Sequence, residues 1–255
     1  MTSKPLKALA AVLLILAVAA LFWAWHTTTS APYSPPPRDA DYWRRRAAQP
    51  DDSVRAHAFK QLGGLRDTES IPLLSQAVQS DKNGFIRAAA AETLGDLRSP
   101  AQVPLLRTAL EDSDRRVSDA ATRALAQIAS PDAQTALIAA IDEKEEHKTV
   151  VIVMELPAFK SEKTEDTLLR LLDSRSAWIR WRTIVALGKV GTTRAVPKLQ
   201  QLLPAPLLGT NYDAGPYKEM DFLGTQIREM LTDSIDAASK RSPWPSHNPS
   251  VGVKP

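Results

Sequence analysis

The 255-residue sequence contains no cysteine, only ten glycines, four histidines and 6% aromatic side chains. The missing cysteines exclude a disulfide scaffold and a thiolate metal site. So few glycines and aromatics disfavour a β-sandwich or a glycine-rich phosphate-binding fold. No GxSxG, Walker or GxGxxG pattern is present, and no His-Glu dipeptide offers a metal-binding pair. Two of the histidines, His26 and His247, fall in the terminal segments, which leaves His57 and His147. A charge surplus of one sign is also lacking. The formal net charge is +3, residues 1–37 hold Lys4 and Lys7 with no acid, and the rest of the chain carries 30 basic against 29 acidic side chains. Such a balance makes no nucleic-acid footprint. What is present is 44% apolar residues, rich in alanine and leucine, and this composition predicts a helical chain with a substantial core.

Residues 8–25 form an 18-residue run without a charge, long enough at 1.5 Å per residue to cross roughly 27 Å of hydrocarbon. It is read as a transmembrane signal-anchor helix, with Trp23 and Trp25 in the membrane interface, where an indole keeps its ring in lipid and its N–H in the headgroup layer. Lys4 and Lys7 in the cytoplasmic segment 1–7 orient it with the N-terminus inside. For a bacterial chain that makes a single-pass inner-membrane protein with its body in the periplasm. The competing reading is a secreted periplasmic protein, cleaved as a signal peptide near Ala17-Val18-Ala19. Residues 26–37, with Pro32, Pro35, Pro36 and Pro37, form a proline-rich linker that holds the body off the membrane.

The body repeats itself. Leu62, Leu94, Leu125, Leu156 and Leu187 are spaced by 32, 31, 31 and 31 residues. Four residues before them stand Ala58, Ala90, Ala121, Ile152 and Thr183, and eight before stand Val54, Ile86, Val117, Lys148 and Ile179, so each set shares one helical face. Gly63, Gly95 and Gly188 directly after the leucine are expected to stop the first helix by taking positive φ. Pro72, Pro104 and Pro197, ten residues after it, are expected to open a second helix whose stripe carries Leu74, Leu106, Leu137, Leu168 and Leu199. One such pair cannot stand alone. Six buried aliphatic side chains supply on the order of 9 to 18 kcal/mol, whereas ordering 31 residues costs roughly 30 to 60 kcal/mol of backbone entropy. Neighbouring pairs must therefore stack into a solenoid.

The Val-Arg-x-x-Ala, Leu-Gly and Pro-x-Leu pattern resembles the HEAT-repeat family, in particular the short bacterial repeats similar to those of phycobilisome lyases. It is carried by Val54-Arg55 with Ala58 and Leu62-Gly63, by Ile86-Arg87 with Ala90 and Leu94-Gly95, and by Ile179-Arg180 with Leu187-Gly188. Ser118 and Thr149 replace the arginine in the third and fourth units, and Lys148 and Pro157 interrupt the fourth. The resemblance implies an all-α solenoid of about five HEAT-like helix-turn-helix repeats over residues 50–203. An N-terminal cap at 38–49 would contain Tyr42, Trp43 and the Arg44–Arg46 triplet, and a linker and C-terminal capping helix would occupy 204–239. A tail over 240–255 is expected to be mobile.

HEAT arrays usually present surfaces for other proteins. The expected function is thus a membrane-anchored, non-catalytic scaffold or adaptor for a protein or peptide partner, with no cofactor, metal or nucleic acid. The alternative that the resemblance implies is a lyase-like or cofactor-handling protein similar to phycobilisome lyase subunits. Arg55, Arg87 and Arg180 recur with Asp51, Asp81, Asp112 and Asp173 at the repeat period, which reads as inter-repeat ladders. The arginine triplet reads as a solvated helix face. The candidate partner-binding residues are Trp178, Trp181 and Arg182, because Trp and Arg dominate binding hot spots and Trp181 stands where earlier units carry Ala56 and Ala88. The opposing expectation for Trp181 is burial beneath the irregular linker or the closing helix.

Overall fold

The computed structural model describes residues 39–202 and 220–244, and the chain divides into two compact units, residues 1–42 and 43–255. Of the first unit only residues 39–42 are described. There the Tyr42 amide donates to Asp39 Oδ1 at 2.7 Å, a side-chain cap at the start of helix α1 (Ala40–Ala47). Among the described residues every regular element is helical, and no helix is long and apolar enough to cross a membrane. The run 8–25 with Trp23 and Trp25, and the linker 26–37, lie outside the described residues.

The second unit is a two-layer stack of five helix pairs. They are α2 (Asp52–Gly64) with α3 (Ile71–Ser80), α4 (Gly84–Leu97) with α5 (Val103–Ala109), α6 (Arg115–Ile128) with α7 (Pro131–Ala139), α8 (Glu146–Glu155) with α9 (Glu162–Leu171), and α10 (Ala177–Val190) with α11 (Val196–Gln201). A closing helix, α12, spans Met220–Ser239. Each first helix packs on the next, α2 on α4, α4 on α6, α6 on α8, α8 on α10 and α10 on α12. The second helices form the other layer. All five repeat leucines of the first helices, and all five of the second helices, have no solvent exposure. The period in the sequence is thus the period of the core.

Local signals start the helices where the sequence places them. The side chains of Asp51, Asn83, Asp114 and Ser176 accept from the amides of Val54, Phe85, Arg116 and Ile179, and Ser130 and Ser161 cap α7 and α9 in the same way. The second helices of units one, two and five begin one residue before their proline, at Ile71, Val103 and Val196. Those of units three and four begin earlier, at Pro131 and Glu162, because their serine caps lie upstream of the register position that Thr135 and Asp166 occupy. Pro157 sits in a 3-10 turn, Leu156–Ala158, that ends α8 at Glu155.

The expected role of the glycines is corrected. The first helices run past Gly63, Gly95 and Gly188; a left-handed residue comes three positions after Gly63, Gly95 and Ala126, as Arg66 (φ 54°), Arg98 (φ 51°) and Ala129 (φ 53°), whereas Gly191, three after Gly188, stands at φ -59°. What requires glycine is the next helix. A Cβ on Gly95 would lie 2.6 Å from the Ala124 Cα, and one on Gly188 would lie 2.7 Å from Ser234 Oγ.

The Gly188 contact also sets the register of α12. Gly95 meets Ala124, one residue before Leu125, and Gly188 meets Ser234, one residue before Ile235. Helix α12 therefore stands where a sixth first helix belongs, with Leu231 wholly buried four residues before Ile235. Ile235 follows Leu187 by 48 residues, one 31-residue period plus 17. The segment after α12 does not leave at residue 240, because Arg241 donates to the Gly191 and Gly188 carbonyls at 2.9 Å each. That interaction satisfies the open end of α10 with a cation at its negative pole.

Candidate functional site

The recurring Arg and Asp residues form a ladder between repeats. Arg55 joins Asp52 at 2.7 Å and Asp81 at 2.9 Å, and Arg87 grips Asp112 with two bonds of 2.8 Å while donating to the Asp81 carbonyl. The Arg87 guanidinium holds the Asp112 carboxyl below its ordinary range. Asp114 is lowered to about 2 by the Arg116 side chain and backbone amide. The ladder changes character where the arginine is absent. Lys148, at the aliphatic register position, brings its Nζ to Glu111 at 3.0 Å and Glu145 at 3.1 Å, and His147 faces Asp119 at 3.1 Å. In the fifth unit Arg180 donates to the carbonyls of Ser174 and Arg175, while Asp173 pairs with Lys198. Within the triplet, Arg44 is bound to Asp67 and Glu69, so it ties the cap to the first turn. Trp43 is buried edge-on to His57, with ring centroids 5.2 Å apart.

The second layer has a polar seam that the sequence reading missed. Gln134 donates to Ser161 and Thr164, and the fully buried Glu165 accepts from the Thr192 amide at 2.7 Å and its hydroxyl at 2.9 Å. Both stand in the register of the aliphatic Ile71, Val103 and Val196, and that substitution is the signal that could have found them. They bind the repeats to one another. A groove of about 780 Å³ beside them is lined by Lys163, Asp166, Arg170 and Trp244, with Lys163 spent on Thr135 and Asp166 on Arg194. Among the described residues no group of three His, Asp or Glu side chains could hold a metal.

Helix α10 differs from the other first helices. Trp178 is 44% exposed, its ring centroid lies 5.1 Å from that of Trp181 at a tilt of 60°, and the Arg182 Cζ stands 4.2 Å over the Trp181 ring. Guanidinium and ring attract through the ring quadrupole, which sets the side chains in one rigid cluster. Trp181 and Arg182 are half-buried, and their Nε1 and Nε atoms are shielded without a hydrogen-bond partner. The three candidate residues thus lie together, with Trp178 outermost. Arg175 and Lys189 flank them, both exposed and without a hydrogen-bond or ion-pair partner for their side chains among the described residues. Neither was singled out from the sequence.

The family model of HEAT repeats matches residues 40–109, 86–150 and 145–207. Among solved structures, the chain is similar to the complex of CpcE and CpcF of phycocyanin lyase from a Nostoc species. That match has 17% identity and a TM-score of 0.52, over 82% of this chain and 98% of that one. A designed armadillo repeat protein matches at 15% identity and a TM-score of 0.41, over 79% and 100%. Human deoxyhypusine hydroxylase matches at 14% identity and a TM-score of 0.33, over 77% and 84%. No curated protein matches the chain.

Proposed function

The chain belongs to the HEAT-repeat family, and from that premise we propose that it is a membrane-tethered, non-catalytic scaffold that holds a protein or peptide partner on its repeat array. The observation that carries this reading is the Trp178, Trp181 and Arg182 cluster on α10. An indole 44% exposed on a regular helix, backed by a second indole and a stacked guanidinium, is a preorganised apolar anchor with a cation beside it. The tether is the apolar run 8–25, with Trp23 and Trp25 at its outer interface, the N-terminus in the cytoplasm and, in a bacterial cell, the body in the periplasm.

Two measurements test the proposal. A photo-crosslinker placed at residue 178 of the full chain in intact membranes is expected to trap a discrete partner, and Trp178→Ala in a chain crosslinked from a neighbouring position is expected to reduce the yield about tenfold. Absence of any crosslinked partner from α10 and from the other first helices overturns the scaffold reading. For the tether, the chain is expected to resist alkaline extraction from membranes, and its body is expected to become protease-accessible only when the outer membrane is opened.

A further inference from the structure

Residues 174–201, the whole fifth repeat, contain six basic residues and no acidic one, although the body as a whole is nearly neutral. Three of the six are committed within the fold. Arg194 binds Glu162 and Asp166, Lys198 binds Asp173, and Arg180 turns to the Ser174 and Arg175 carbonyls. Arg175, Arg182 and Lys189 remain, with no carboxylate partner among the described residues. Their spacing is informative. Trp178, Arg182, Val185 and Lys189 follow one another by four, three and four residues, which places them on one face of α10, and Arg175 stands one residue before the Ser176 cap of that helix.

The matching positions of the second and third units also carry charges. Glu92, in the register of Val185, pairs with Arg123 of the next unit, and Phe85 and Arg116 occupy the register of Trp178. Glu92 and Arg123 thus meet across the repeat boundary, while Arg116 pairs with Asp114 of its own unit. The cations of the α10 stripe have no such partner among the described residues.

We infer that this stripe, Arg175, Trp178, Arg182 and Lys189, is the docking surface for an acidic segment of a protein partner that also offers an apolar side chain to Trp178. The stripe is one helix wide and, at 1.5 Å per residue, about 21 Å long. Those dimensions suit a single helix or extended strand, whose carboxylates can meet cations three or four residues apart. A duplex or a bilayer surface would need cations spread over a broader face. The inference rests on the scaffold reading and adds the chemistry of the partner.

The test uses the full chain in detergent micelles and a labelled synthetic peptide of about 18 residues, amphipathic, with glutamate on one face and leucine on the other. Its twin carries lysine at every glutamate position. Fluorescence anisotropy is expected to show the glutamate peptide binding at least about tenfold more tightly than the lysine peptide, with the difference shrinking as salt rises. Trp178→Ala is expected to weaken binding about tenfold. The double variant Arg175→Glu with Lys189→Glu changes two exposed side chains, so circular dichroism should be unaltered while the preference for glutamate is lost. Equal affinity for the two peptides, or a preference that survives the double variant, overturns the proposal. So does binding to phosphatidylglycerol vesicles that depends on Arg175 and Lys189 and is not displaced by the glutamate peptide. Crosslinks to a partner from first helices other than α10 would remove this stripe while leaving the scaffold reading intact; no crosslinked partner at all would remove both.

Discussion

Arg98 stands at φ 51°, where a side chain crowds its own carbonyl and glycine does not. Arg98→Gly is therefore expected to stabilise the fold by about 1 kcal/mol, read as a higher midpoint of chemical denaturation. The glycines that recur with the repeat behave in the opposite way. Gly95→Ala must push Ala124 and is expected to destabilise by about 1 to 3 kcal/mol, whereas a Cβ on Gly64 meets nothing within 4 Å and Gly64→Ala should stabilise by roughly 0.5 kcal/mol. A glycine after a leucine reads equally well as a helix end or as a helix crossing, because both demand a missing Cβ. Only the neighbouring helix distinguishes them. The ladder carboxylates also make a pH prediction. Asp112 and Asp114 are depressed in the folded chain by Arg87 and Arg116, so their contribution is full above the unfolded carboxyl pKa of about 3.9 and is lost as pH falls towards the folded values. Thermal stability should hold from neutral pH to about 5 and drop steeply below about 4, with Arg87→Ala flattening that drop.

Among the helices, α12 shows how far a period can be followed. A capping helix was expected from the sequence, but its place as a sixth first helix was hidden by the additional 17 residues that precede it. The buried Leu231 and the approach of Ser234 to Gly188 reveal it. A solenoid end needs such a cover, because the last pair otherwise exposes one apolar face. Leu231→Ala is expected to cost about 3 kcal/mol, and hydrogen exchange should show the loss of protection in α10 before α2 or α4. The cap at the other end was legible as a short helix with an aromatic and an arginine triplet. That Trp43 turns inward to His57 and Arg44 reaches Asp67 was not, because those partners lie 14 and 23 residues away.

Across the array, the third and fourth units carry the departures from the repeat pattern, with Ser118 for arginine, Lys148 for an aliphatic residue and Pro157 at the turn. Stability in a stack is a sum over neighbouring interfaces, and this interface substitutes ion pairs of partly exposed side chains for apolar contact. Hydrogen exchange is expected to divide the second unit there, with residues 52–139 and 146–239 opening as separate cooperative blocks. The net charge of the body conceals a local imbalance. Summed over the body it is close to zero, yet the fifth repeat holds six cations and no acid, a block that counting by repeat unit discloses.

Leucines at a 31-residue period, flanked by alanines on one face and followed by a second apolar stripe, oblige the chain to stack helix pairs, because no single pair can bury what it exposes. That much of the architecture could be read without coordinates, and so could the aromatic and basic character of α10. Which cations are spent within the fold and which face solvent could not. Arg194, Lys198 and Arg180 find their partners on other turns and helices, Arg175 and Lys189 find none among the described residues, and the pattern of residues along one helix does not reveal what the next helix brings against it.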